Sequence, residues 1–331
     1  MWIVRTAISM KRFLHNIVLA AFATAFAAGC GSGKGDSFSP VPFPAVAVPV
    51  MYAEDRDAAF EYVLMHYWDG LTDTLRQYPC DSSFVSGVRK TDVEQAFADY
   101  AGLLGVSDIA LARKSISRMY GMAVSCERKD TTSNVFETLT SLAELYLYDP
   151  NSPMRMEDIY GVYAGLLSQY GGFAPEKRAA YAYDAEMCSL NAVGTTAADF
   201  YFSDASGKTM NLHGISAEYT LLFFSNPGCN ACKEIIDVLT QDAVVSGLVT
   251  SGRLAVVNVY IDEDIAEWYS YMPVYPSVWH NGYDPNGIIR GDTLYNVRAI
   301  PSLYLLDRQK TVIMKDAPSE KVFQFLADIS R

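Results

Sequence analysis

The stretch Phe223-Phe224-Ser225-Asn226-Pro227-Gly228-Cys229-Asn230-Ala231-Cys232-Lys233 constrains this chain more than any other. The apolar, aromatic run from Tyr219 to Phe224 reads as a buried strand, Pro227-Gly228 turns it, and Ile235, Val238 and Leu239 resume with helical spacing. A helix therefore opens at the two cysteines. Unpaired backbone N–H groups and the positive end of the helix dipole sit there, and they lower the pKa of a thiol at Cys229. The Cys-x-x-Cys spacing also brings Cys232 within reach of Cys229, so the pair can pass between dithiol and disulfide.

Half of a zinc site has the same spacing, but the other half needs two more close ligands. Cys80, Cys126, Cys188 and His213 are scattered singly, so no metal is expected.

Several further stretches follow in a fixed order. Ala198-Asp199-Phe200 comes first, then Asp204-Ala205-Ser206-Gly207-Lys208 and Leu212, and Leu254-Ala255-Val256-Val257-Asn258-Val259-Tyr260 reads as a second buried strand. Far downstream comes Val297-Arg298-Ala299-Ile300-Pro301-Ser302-Leu303-Tyr304-Leu305-Leu306-Asp307. Together with Cys229-x-x-Cys232, this order resembles the thioredoxin-like superfamily, and within it the membrane-tethered thiol-disulfide oxidoreductases. The resemblance implies an α/β domain with a central mixed sheet flanked by helices, and no cofactor beyond the cysteine pair. It implies that Cys229 exchanges with the substrate, that Cys232 resolves the mixed disulfide, and that Ile300-Pro301 is the substrate-binding segment. A cis bond before Pro301 would turn the Ile300 backbone toward the sulfurs, where an extended substrate can pair with it. The sequence departs from the common pattern with Gly228 before the first cysteine, Asn230-Ala231 between the two, and Phe223 near the place of the usual buried acid.

At the other end, Lys11-Arg12 precede an apolar run from Phe13 to Ala28 that closes Ala27-Ala28-Gly29-Cys30. This predicts a signal peptide over 1–29, too short for a spanning helix, with a cysteine that resembles a bacterial lipobox. Cys30 is then the acylated first residue and the membrane anchor, placing the protein at the outer membrane facing the periplasm. Processing removes Arg5, Lys11 and Arg12 but no acid, which takes the net charge from −12 to −15. A chain so acidic does not favour phosphate backbones, and no nucleic-acid partner is expected. Residues 30–50, rich in Gly, Ser and then Pro, read as an extended tether.

From 51 to 190 the pattern is helical. Thr91-Asp92-Val93-Glu94 has capping-box spacing before Phe97, Tyr100 and Leu104, and Ser107 is placed to cap a helix with Leu111, Ile116 and Met119. Further stripes run through Phe136, Leu139, Leu142 and Tyr146, and through Ile159, Tyr163, Leu166 and Tyr170, and Pro175 suits the first turn of a helix to Met187. About six helices and no strand predict an α-helical bundle, followed by the thioredoxin-like domain over 191–331. Two segments, His66-Tyr67-Trp68-Asp69 and Tyr146-Leu147-Tyr148-Asp149-Pro150-Asn151-Ser152-Pro153-Met154-Arg155, resemble helical domains of unknown function of the DUF5106 type. That resemblance brings no activity with it. Beyond the second domain's cysteine pair, the region Met272 to Gly287 reads as irregular loop, and Ser319 as the cap of a last helix.

The expected function is a lipid-anchored thiol-disulfide oxidoreductase of the cell envelope, with protein thiols and disulfides as substrates and an upstream redox donor or acceptor. A peroxiredoxin-type thiol peroxidase is a second reading, although Asn226 stands where that chemistry wants Thr or Ser three residues before its cysteine. A third is an envelope binding or assembly module on a thioredoxin-like scaffold. Of Cys80, Cys126 and Cys188, at most two can pair with each other.

Overall fold

A computed structural model describes residues 39–75, 78 and 82–330, so the predicted signal peptide, Cys30, most of the predicted tether's first half and Cys80 lie outside the described residues. Among those described, no helix is long and apolar enough to cross a membrane. The chain divides into two compact units, one holding the chain to Leu103 with Gly121–Leu139, the other Leu104–Tyr120 with Thr140–Arg331. These units do not follow the expected boundary at 190/191.

In the first unit, α1 (Arg56–His66) starts where Asp55 accepts the Ala58 N–H at 3.0 Å. Its C-terminal end leads to Trp68, which is buried with Phe97 and Tyr100, the Trp68 and Tyr100 rings meeting edge to face at 5.4 Å. His66 faces Asp69 at 2.7 Å. The expectation of no strands in this half is corrected by a small hairpin, β1 (Phe84–Val85) and β2 (Val88–Arg89). Ser86 (φ 46°) and Gly87 (φ 78°) both turn left-handed, the geometry that joins two strands through a two-residue loop. Ser-Gly between Phe84-Val85 and Val88 was its sequence signal.

Two caps also differ from expectation. Helix α2 (Lys90–Val106) already includes Thr91, so Arg89 and not Thr91 precedes its first turn. Helix α3 (Ile109–Lys129) is capped by Asp108, which accepts from Ala110 N (2.8 Å) and Leu111 N (3.3 Å), while Ser107 Oγ donates back to Leu104 O. A carboxylate is the stronger acceptor for two helix-end N–H groups. Helix α4 (Val135–Ala143) runs into a wider π-helical turn, Glu144–Tyr148.

In the second unit, α5 (Glu157–Ser168) and α6 (Pro175–Ser189) precede a seven-stranded mixed sheet of order β4-β3-β7-β6-β5-β8-β9. The strands are β3 (Tyr201–Ser203), β4 (Thr209–Asn211), β5 (Tyr219–Phe224), β6 (Leu254–Tyr260), β7 (His280–Tyr283), β8 (Ser302–Asp307) and β9 (Val312–Met314). β5, β6 and β7 are parallel, and β8 runs antiparallel to β5. The expected loop around 280 is thus a strand. His280-Asn281-Gly282-Tyr283 has no apolar alternation, and the two neighbouring strands rather than its own residues place it.

Alternation along the central strands sorts two cores. Leu221, Phe223, Val256, Leu303 and Leu305 face one layer, filled by Ile235, Ile236 and Leu239 of α7 (Asn230–Gln241), Val245 and Leu248 of α8 (Ala243–Thr250), Trp268 of α9 (Ile265–Tyr271), and Val322 and Leu326 of α11 (Ser319–Ile329). Leu222, Phe224, Val257, Val259, Tyr304 and Leu306 face the other, covered by Phe200, Phe202, Leu212 and Ile289 of the short α10 (Ile288–Gly291). Strands buried on both faces are apolar nearly throughout, which is why β5 reads as a run interrupted only by Thr220. Each fully buried Leu or Phe contributes about 1.5–3 kcal/mol of transfer free energy. Ser319 stands inside the first turn of α11 after Pro318, and makes no cap.

Candidate functional site

The site is assembled at the end of the sheet where β5 finishes and β8 begins, since Phe224 pairs with Ser302. β5 delivers the chain to Ser225, fully buried, and Gly228 (φ +70°) makes the turn into α7. Cys229 is the N-cap of α7, and its Sγ accepts the Cys232 N–H at 3.2 Å. The two sulfurs are joined as a disulfide, with the Cα atoms 5.2 Å apart. Cys229 is partly exposed and Cys232 is 1 % exposed, packed in the core with Phe223, Ile235, Ile236 and Trp268. An incoming group therefore reaches Cys229 first.

The charges around Cys229 are mostly committed elsewhere or held at the rim. Lys233 pairs with Asp237 one turn along the helix. Asn226 donates through its Nδ2 to Asp262, which also pairs with Arg290, so the loop before the cysteines is tied to the segment after β6. Glu267 Oε1 lies 3.9 Å from where a Cβ on Gly228 would stand.

Behind the loop the groups are neutral. Ser225 Oγ donates to Asn258 Oδ1 (2.5 Å), Asn258 Nδ2 to Asn281 Oδ1 (3.1 Å), and Asn281 Nδ2 to the Pro276 carbonyl (2.8 Å). Tyr275 joins at 3.5 Å from Ser225 Oγ, and burial pushes its hydroxyl pKa up. Phe223, near the place of the usual buried acid, is fully buried.

On the β8 side, the Ile300–Pro301 peptide bond is cis, and Ile300 packs against both cores, including the one that holds Cys232. Trp268 and Trp279 are both buried in the core that holds Cys232. The remaining described cysteines, Cys126 and Cys188, are buried free thiols, and burial with Glu157 nearby pushes Cys188 up to about 12. Among the described residues there is no group of His, Cys, Asp and Glu able to hold a metal.

Sequence reading missed the charges that hold the proline loop. Arg298 Nε donates to Glu157 Oε1 at 2.7 Å, its Nη1 to the Tyr148 carbonyl, and its guanidinium lies 4.0 Å from the centre of the Tyr148 ring. Glu157 Oε2 is 3.2 Å from Lys315 Nζ, which donates to Cys188 O at 2.7 Å. Ser302 Oγ donates to Asp316 Oδ1 (2.7 Å), and Arg155 Nε reaches Asp316 Oδ2 (3.1 Å) and its carbonyl (2.8 Å). Burial pushes the Asp316 carboxyl above its ordinary pKa despite Arg155. For Arg298, burial works against the charge, but Glu157 and its other partners hold the pKa above the ordinary value. Arg155 and Arg298 both stand in the stretches that carried the family resemblances, but partners 141 to 161 residues away leave no mark in a sequence.

Comparison with known proteins agrees with this architecture. Residues 22–188 match the model of a domain of unknown function, DUF5106. The chain is similar to the crystal structure of a thioredoxin-like protein from Bacteroides caccae, with 31% identity, 89% of this chain and 99% of that one covered, and a TM-score of 0.73. It is also similar to the C-terminal domain of an uncharacterized protein from Bacteroides fragilis, at 44% identity over 42% of this chain and 99% of that one, with a TM-score of 0.41. A domain of a possible thiol-disulfide isomerase from Cytophaga hutchinsonii matches at 23% identity, covering 42% and 92%, with a TM-score of 0.36. No curated protein matches the chain.

Proposed function

The chain belongs to the DUF5106 family, and we propose that this member is a thiol-disulfide oxidoreductase of the cell envelope, acting on protein disulfides through Cys229 and Cys232. The observation that carries the reading is the asymmetry of the pair. Cys229 Sγ is the accessible helix cap, and Cys232 waits behind it in an apolar core.

In the reducing direction, the Cys229 thiolate attacks one sulfur of a substrate disulfide, forming a mixed disulfide and expelling the other substrate sulfur as thiolate. The Cys232 thiolate then attacks Cys229 Sγ. Substrate leaves with both electrons, and the Cys229–Cys232 disulfide is restored for an upstream dithiol to reduce. Oxidation of a substrate dithiol runs through the same bonds in reverse. The amide N–H of Cys232 and the α7 dipole favour the thiolate on Cys229, both as attacker and as leaving group. The Ile300 backbone is the strand edge against which an extended substrate pairs.

A thiol peroxidase is less well supported, because Asn226 is tied to Asp262 and offers no hydroxyl near Cys229. A lipid anchor at Cys30 is part of the same proposal, resting on the lipobox-like sequence, and Cys30→Ala should release the protein from the membrane fraction. The redox role is tested with the reduced wild-type chain and insulin. Precipitation of the freed insulin chain supports it, and failure to cleave insulin together with no trapped adduct in Cys232→Ser favours the binding-module reading.

A further inference from the structure

We propose that Glu157 and Arg155 are positioning residues for the Ile300–Pro301 segment, so that the helical part of the second unit sets the geometry of the substrate-binding edge. This rests on the thiol-disulfide reading above.

Two anchors bracket the segment. Arg298, two residues before Ile300, is fixed by Glu157 and by the Tyr148 carbonyl and ring. Ser302, directly after Pro301, is fixed by Asp316, whose carbonyl and carboxylate both accept from Arg155 Nε, with a further bond from Arg155 Nη2 to the Ala317 carbonyl at 3.2 Å. Both anchors lead back to one short stretch of chain, Tyr148 to Glu157. Ser302 is also the residue paired with Phe224, whose strand runs on to the cysteines, so the same anchor fixes the proline segment relative to Cys229.

Adhesion alone does not explain charges at this place. Glu157 is 2 % exposed and serves two cations, Arg298 and Lys315. Arg298 Nη2 lies 2.7 Å from Glu157 Oε1, and Lys315 Nζ 3.2 Å from Glu157 Oε2, without a well-aligned hydrogen bond at Nη2 or Oε2, so much of the attraction there is Coulombic. Buried ion pairs are often no more stabilising than apolar side chains of the same volume. What a planar guanidinium with fixed donors supplies, and an apolar contact does not, is direction. Here the direction is delivered to the backbone on either side of Ile300–Pro301.

A protein disulfide that pairs along the Ile300 backbone depends on that geometry. A small disulfide that meets only Cys229 does not. The test measures the full-length chain against insulin, with dithiothreitol as electron source, and the reduced chain in single turnover against dithiobis(nitrobenzoate). Arg298→Met, Glu157→Gln and Arg155→Met should each raise KM for insulin about tenfold while the rate with the small disulfide stays within about twofold, and Arg298→Lys should recover part of the loss. Should Arg298→Met fail to fold, Arg298→Lys decides, with an expected rise in KM of about threefold. An unchanged KM in variants that fold, or parallel loss toward both disulfides, overturns the positioning role while leaving the redox reading intact. A wild type inert toward both disulfides overturns the redox reading, and this proposal with it.

Discussion

The cysteine pair and the Ile300–Pro301 segment meet at one end of the sheet but are held there by opposite means. Behind the cysteine loop lie neutral groups, the Ser225–Asn258–Asn281 chain and an apolar core under Cys232, while Asn226 is tied to the more exposed Asp262–Arg290 pair. The proline segment is bracketed by buried charges whose partners are more than a hundred residues away. Apolar packing and short neutral bonds lie behind the thiols, one of which caps a helix end. Charges give the peptide edge a fixed direction. On the proposed function, the two flanks divide chemistry from recognition.

The first way to break this comparison is to remove the chemistry. Cys229→Ser should lower insulin reduction by about a thousandfold or more and trap little, whereas Cys232→Ser should accumulate mixed disulfides visible on non-reducing gels. Equal trapping by both single variants would contradict the order assigned to the sulfurs.

Next in size is the charged flank. Glu157→Leu leaves Arg298 and Lys315 buried without their shared acid and should cost about 3–5 kcal/mol, read as a lowered urea midpoint. On the neutral flank, Ser225→Ala should cost about 1–3 kcal/mol by the same measurement, since Asn258 loses one donor but no charge is stranded. Equal costs would mean that the two flanks are not built differently.

A smaller effect is expected from pH. Burial, with Lys310 and Lys208 adding to it, depresses the pKa of His280 at the start of β7. For a base with a depressed folded-state pKa, the stabilisation is complete above its unfolded value of about 6.5 and is lost as pH falls through the folded value. Melting temperature should therefore decline on acidification from neutrality, and His280→Asn should make that decline shallower. The smallest effect belongs to Lys233, whose pair with Asp237 is exposed on both sides. Lys233→Ala should change stability by no more than about 0.5 kcal/mol, and a larger change would place Lys233 in the site.

How far the sequence spoke depended on how local each cause was. β5, the turn at Gly228 and the helix opening at the cysteines are determined within fifteen residues, and they were legible. So was β6, because strands buried on both faces are largely apolar. His280–Tyr283 was not legible, since polar Asn281 is held by Asn258 from the neighbouring strand and not by a pattern of its own. The hairpin at Ser86-Gly87 was written in its turn residues and overlooked beneath the helical texture around it. The bracket around Ile300–Pro301 could not be read at all. Arg155, Glu157 and Asp316 look like ordinary surface charges until the fold buries them together.

The charged bracket has a bearing on how such a chain could change over evolutionary time. A redox domain that carried its whole recognition edge within itself could be cut from one protein and joined to another as a cassette. Here, separating residues 191–331 would leave Arg298, Lys315 and Asp316 facing solvent where they now face Glu157 and Arg155. A new fusion partner would have to supply an acid and a guanidinium at matching places, or the edge would have to be rebuilt with other residues. The two halves of the second unit are therefore bound to drift as a pair, each substitution on one side narrowing what the other side can accept.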